Sequence, residues 1–145
     1  VYKIDDKVDI IIDDGSHVPE YQLNTFQHLF RDLLRDGGIY IIEDIETSYW
    51  TDGELYGNKI KAGWKQENSI VEWFKNRVDY SINEEFMCYR HLMQDATRNE
   101  DNLLQYIMDA IETVTFGQNC IIITKKDKKY SEYYDRPYRF SHFVK

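Results

Sequence analysis

Two short β-branched runs, VDIIID at residues 8–13 and IYIIE at 39–43, flank one amphipathic stretch. Nearly continuous apolar runs of this length fit strands covered on both faces, as in a parallel sheet. The stretch between them predicts a helix over 19–36. Leu23, Phe26, Leu29, Phe30, Leu33 and Leu34 recur there at helical spacing and make one apolar stripe. Pro19 suits a first helical turn, and Gly37 and Gly38 read as the helix end. Strand, helix and strand in direct succession form a βαβ unit, with parallel strands and a right-handed crossover.

The remaining chain extends this unit. Residues 46–66 read as a long loop carrying Tyr49, Trp50, Gly53, Gly57 and Gly63. A loop of that length without structure of its own points to function. A helix is expected over 67–79 with Ile70, Val71, Phe74 and Val78 inward, while 80–98 show no clear period. A further helix is expected over 100–110, with Leu103, Leu104, Ile107 and Met108 inward and acidic residues in its first turn. Two β-rich runs then flank Gly117-Gln118-Asn119, a hairpin signal. The fold class is therefore α/β, with a sheet whose last two strands close antiparallel. Residues 126–145 form a charged, aromatic tail without a period, set apart from 1–125.

Composition narrows the function classes. At 145 residues the chain has the length of one domain, which buries roughly 70% of the surface its unfolded form exposes. A net charge of −8 opposes generic binding to nucleic acid or anionic membrane, since both require a positive field. No apolar run approaches a membrane span, and no signal peptide is visible. Cys88 and Cys120 make neither a metal spacing nor a disulfide framework, so a reducing, cytoplasmic setting is expected. Twelve tyrosines and three tryptophans suit stacking on flat or sugar-like ligands, and equally suit packing.

The chemistry gathers where the strands end. Asp13 and Asp14 follow the first strand, and Glu43 and Asp44 follow the second. In open α/β sheets ligands bind outside the carboxyl ends of the strands. Neighbouring strand ends lie about 5 Å apart, or ~10 Å with one strand between them. Three or four carboxylates would then converge and repel one another, and a divalent cation resolves that repulsion. All-oxygen ligation suits Mg²⁺, with Mn²⁺ or Ca²⁺ as alternatives. Asp13 is the member expected to point away, because adjacent residues face opposite sides. His17, three residues after Asp14, stands at the mouth of this crevice and suits proton transfer. His28, His91 and His142 have no such setting. Gly15 reads as a tight turn or a place of close ligand approach, and Ser16 as a helix cap. Tyr49 and Trp50 could wall an acceptor pocket or pack the loop.

DIIIDDGSH at 9–17, TFQHLF at 25–30 and GGIYIIEDIETSYW at 37–50 together resemble the metal-dependent macrolide-sugar O-methyltransferases of the mycinamicin type. These have the class I S-adenosylmethionine (SAM)-dependent fold. The resemblance is dense over 8–50 and weaker through SIVEWFKNRVD and the final hairpin. It implies Asp14, Glu43 and Asp44 as Mg²⁺ (or Mn²⁺) ligands and His17 as general base. It also implies Asp13, Gly15 and Ser16 on the cofactor side, and Tyr49 and Trp50 against a small-molecule sugar or glycoside acceptor. The implied reaction carries the SAM methyl group to a sugar hydroxyl.

The family's glycine-rich donor loop and ribose-binding acid have no counterpart here. Residues 1–125 are therefore expected to cover about the C-terminal half of a class I methyltransferase domain, as a partial Rossmann-like sheet. Alone, the chain should bind SAM weakly or not at all and associate, as a homo-oligomer or otherwise, through an exposed sheet edge. Two other readings stand beside this one. The first is a degenerate, non-catalytic methyltransferase-like interaction module. The second is a metal-dependent polysaccharide deacetylase, which shares DDG but needs a paired-histidine motif absent from this sequence.

Overall fold

In the computed structural model, residues 6–78 and 102–127 are described. Strand β1 (Val8–Asp13), helix α1 (Pro19–Asp32) and strand β2 (Leu34–Glu43) build the expected βαβ unit. Strands β1 and β2 are direct neighbours and run parallel, with Ile12 opposite Ile41 and Asp13 opposite Ile42. A 3-10 turn (Glu46–Tyr49) follows, then a small hairpin of β3 (Gly53–Leu55) and β4 (Asn58–Ile60) and a short helix α2 (Ile70–Lys75). Helix α3 (Asn102–Ala110) leads into β5 (Ile111–Gly117) and β6 (Cys120–Lys125). The four-stranded sheet has the order β1-β2-β6-β5, and both β2–β6 and β5–β6 pair antiparallel. This is the expected α/β architecture with its closing antiparallel hairpin.

Several boundaries differ from the sequence reading, each for a local reason. Helix α1 ends at Asp32, not at 36, and β2 begins at Leu34, not at 39. Leu34 thus leaves the helical stripe and is buried in the strand opposite Val8. The register then jumps, because Val8 faces Leu34 whereas Ile10 faces Ile39. The extra residues of β2 bulge out, and Gly37 serves the bulge rather than a helix cap, with a left-handed φ of 76°. Lys125 fixes this early helix end. Its side chain is 1% exposed, and its ammonium donates to the carbonyls of Phe30 and Leu34, both at 2.8 Å. A cation is favoured there by the negative end of the helix dipole.

The stretch 46–66 is not structureless, since the 3-10 turn and the β3–β4 hairpin occupy it. Helix α2 is shorter than the predicted 67–79. Ser69 caps it by accepting from the Glu72 N–H, and Ile70, Val71, Trp73 and Phe74 are buried. Helix α3 is described over Asn102–Ala110, and the acidic residues expected in its first turn lie outside the described residues. The segment 80–98, His91, His142, Cys88 and the tail from 128 onward also lie outside them.

One face of the sheet carries the core. Ile11, Tyr40, Ile42, Ile121 and Ile123 pack against Phe26 and Phe30 of α1, Phe74 of α2 and Ile107 of α3. Phe26 stands at the centre, with ring contacts to Phe30, Tyr40, Trp73 and Phe74 at 5.0, 5.2, 6.2 and 5.1 Å. Side chains alternate across a strand, so the opposite face receives Ile10 and Ile12, which are 55% and 59% exposed. Strand β1 is an edge strand of this sheet. The sheet's packing therefore sets the ends of β1 and β2 side by side at one rim.

Candidate metal and proton-transfer site

The chain leaves β1 through Asp13-Asp14-Gly15-Ser16-His17 before α1 begins. Strand alternation sends Asp13 inward and Asp14 outward. Asp13 is buried, and its carboxylate accepts from the Tyr40 hydroxyl at 3.0 Å. Burial pushes the Asp13 carboxyl above the ordinary range. The Tyr40 hydroxyl, the Gly15 N–H and His17 partly oppose this, and Asp14 adds to it. Tyr40 is itself pushed strongly upward, first by burial and then by the Asp13 charge and hydrogen bond. The close approach at Gly15 is to Asp13: a Cβ there would stand 2.9 Å from Asp13 Oδ1. Ser16 is not the helix cap. Val18 holds that position without a side-chain bond, and Ser16 Oγ accepts from the Val18 N–H at 3.4 Å.

His17 and Asp44 both adopt left-handed backbone, with φ of 55° and 50°. Such conformations cost energy in non-glycine residues and persist where surrounding structure over-determines them. Here the surrounding bonds are explicit. Thr47 Oγ1 donates to the His17 carbonyl at 2.5 Å. The Gln22 amide, buried on α1, donates to the carbonyls of Glu43 at 2.9 Å and Asp44 at 3.4 Å.

The result is a three-member cluster. His17 Nε2 lies 3.1 Å from Asp14 Oδ1, and Nδ1 lies 3.5 Å from Asp44 Oδ2. One ligand atom from each of Asp14, His17 and Asp44 falls within 4.8 Å of the others. Asn119, in the β5–β6 turn, donates its amide to Asp44 Oδ1 at 2.7 Å. The Asp14 and Asp44 carboxylates repel one another across this small space, and a cation placed between them offsets that repulsion. The donor set, two carboxylates beside one imidazole, fits a hard divalent ion.

Glu43 is exposed at the end of β2 and is not a member of that three-residue group. Of the two aromatics singled out in the sequence, Tyr49 is exposed, while Trp50 packs with Leu55 against Val18, Ile60 and Ala62. Tyr56, which the sequence did not single out, sets its ring edge-on to His17 at 6.3 Å. Gln22, Thr47, Asn119 and Tyr56 were not legible as site residues. Asn119 gave only a turn signal, and the others lay among ordinary helix and loop positions. Among the described residues, no helix is long and apolar enough to cross a membrane.

No family model matches the chain. Over 43 residues, 30% of this chain and 11% of the relative, it is 49% identical to 8-demethyl-8-alpha-L-rhamnosyl tetracenomycin-C 2'-O-methyltransferase of Streptomyces olivaceus. Over 71 residues, 49% of this chain and 17% of the relative, it is 39% identical to L-olivosyl-oleandolide 3-O-methyltransferase of Streptomyces antibioticus. The matched segments thus span less than a fifth of these relatives. The MycE methyltransferase from the mycinamycin biosynthetic pathway, solved in complex with Mg, SAH and mycinamycin VI, superposes with a TM-score of 0.59 at 23% identity. That superposition covers 89% of this chain and 27% of MycE, and it shows a common fold. The chain is therefore similar, in part of its sequence and in nearly all of its fold, to a segment of the mycinamicin-type sugar O-methyltransferases.

Proposed function

We propose that this chain forms the metal- and acceptor-side part of a SAM-dependent, Mg²⁺-assisted O-methyltransferase acting on a sugar or glycoside hydroxyl. The observation that carries the reading is the convergence of Asp14, His17 and Asp44 from two neighbouring strand ends, with ligand atoms within 4.8 Å. The names of the relatives, which are sugar O-methyltransferases, and the Mg and SAH in the MycE complex point the same way.

In this proposal Asp14 and Asp44 hold the cation, with the adjacent Glu43 as a further ligand, and Mn²⁺ is an acceptable substitute. Bound there, the ion supplies Lewis acidity that makes an acceptor hydroxyl easier to deprotonate. His17 takes the hydroxyl proton on a ring nitrogen, an effect typically worth ~10²–10⁴-fold. When bound, SAM would supply the methyl group: the acceptor oxygen would bond to the methyl carbon as the carbon–sulfur bond breaks with its electron pair left on sulfur. Gly15 and Ser16 would lie toward the donor and the exposed Tyr49 toward the acceptor, whereas Trp50 is taken up in packing and Asp13 in its bond with Tyr40.

The test is methyl transfer from labelled SAM to a 6-deoxyhexose glycoside by the protein containing this chain, with and without EDTA. Activity should vanish on chelation. It should fall by at least about 10²-fold in Asp14→Asn and His17→Ala, and strongly in Glu43→Gln. Unchanged rates in EDTA would remove the metal from the mechanism.

A further inference from the structure

Asn119 reaches the cluster from the C-terminal hairpin, and it contacts one specific oxygen. Its amide donates to Asp44 Oδ1 at 2.7 Å, while Asp44 Oδ2 is the oxygen turned toward His17 at 3.5 Å. A carboxylate at a strand end can rotate unless something holds it, and this bond restrains Oδ1 while Oδ2 stays turned toward His17. The backbone of Asn119 is suited to the task. It sits in a two-residue turn between the paired Gly117 and Cys120, at φ 56°, a conformation that asparagine tolerates better than most side chains. Strand β6 pairs with β2 beside it, with Cys120 opposite Glu43, which sets the turn next to the end of β2.

From this geometry we infer that Asn119 is a positioning residue for the cation site. It orients the Asp44 carboxylate so that one oxygen accepts the amide and the other faces the ion and His17. Groups that orient metal ligands in this way are typically worth about 10–100-fold in metal affinity. The inference rests on the metal reading proposed above and adds a residue to it.

The test is Mn²⁺ binding to the whole chain, read by electron paramagnetic resonance or calorimetry, in wild type, Asn119→Gly and Gln118→Gly. Glycine at 119 keeps the left-handed backbone and deletes the amide. Glycine at 118 loosens the same turn and leaves the amide in place. Asn119→Gly should weaken Mn²⁺ by about 10-fold or more, and Gln118→Gly by less than about two-fold. Equal affinity in wild type and Asn119→Gly would overturn the inference and leave the metal reading standing. Equal losses in both variants would also overturn it, because turn rigidity would then be the cause. A wild type that binds no Mn²⁺ would overturn the metal reading and this inference together.

Discussion

Asn119 and Asp44, 75 positions apart in sequence, meet at 2.7 Å. Their contact ties the last hairpin of the sheet to the loop that follows the βαβ unit. The cluster is therefore assembled by three segments, two strand ends and one turn, each held by hydrogen bonds that do not involve a ligand. A site built in this way should respond to substitution in its metal affinity more than in its folding.

Asp44→Asn puts that to use. The amide oxygen can still accept from Asn119, so the shape is kept while one negative charge is lost. Mn²⁺ affinity should fall by on the order of 10-fold or more, since ligand charge sets affinity in oxygen sites. The melting temperature should move little, because Asp44 is partly exposed. A large loss of stability with unchanged Mn²⁺ binding would contradict the assignment.

Tyr40→Phe should destabilise the fold by about 1–3 kcal/mol by stripping a hydroxyl donor from buried Asp13. The pH dependence has a definite sign. The Asp13 carboxyl titrates in the folded state above its ordinary value of 3.8, mainly because it is buried. Its own contribution to stability is therefore greatest below that ordinary value and declines as pH rises through the folded value. The Tyr40 hydroxyl stabilises the ionised form, so the difference between wild type and Tyr40→Phe should be largest above the folded-state pKa of Asp13 and shrink as pH falls through it. Urea melts across a pH series measure it.

Tyr56 should be replaceable with a gain in stability. It and Gly57 both have positive φ, 50° and 78°, as the two central positions of a tight hairpin require. Asparagine or glycine is favoured at the first of these, and a tyrosine there costs about 1 kcal/mol. Tyr56 is nevertheless 75% exposed, so packing does not hold it there. Tyr56→Asn should raise the unfolding free energy by up to about 1 kcal/mol, and thermal melts would show it. A loss of stability instead would mean that its contact with His17 outweighs the backbone strain.

Lys125→Met should cost about 2–3 kcal/mol, because it removes a charged donor from two backbone carbonyls. Hydrogen exchange should then locate the weakening at the end of α1 and the start of β2. Protection lost uniformly across the sheet would argue against this local anchoring role.

The exposed edge strand carries a prediction about association. With Ile10 and Ile12 on its open face, β1 should promote concentration-dependent self-association in sedimentation velocity runs. Ile12→Lys should reduce that association, since an edge charge opposes strand pairing. Identical sedimentation in the variant would place the contact elsewhere.

The βαβ unit was legible because its causes are local. β-branched runs, a helical apolar stripe and Pro19 each act within a few residues, and the resulting parallel pair put Asp14 and Asp44 at adjacent strand ends. The same local reasoning misplaced the end of α1. The early stop depends on Lys125, some 91 and 95 positions from its two carbonyl partners, and on the bulge at Gly37. It likewise could not see that the 46–66 segment folds into a 3-10 turn and a hairpin bringing Tyr56 to His17.

Sequence alone determined which residues could carry charge and proton chemistry, because side-chain identity decides that. Tertiary structure decided which of them meet. It turned Asp13 inward onto Tyr40, drew Asp14, His17 and Asp44 together, left Glu43 at the rim, and added Asn119. The physical reason is distance. Strand alternation and turn propensity act over a few residues, whereas the orientation of a carboxylate at a strand end is set by partners that only the packed sheet brings within hydrogen-bonding reach.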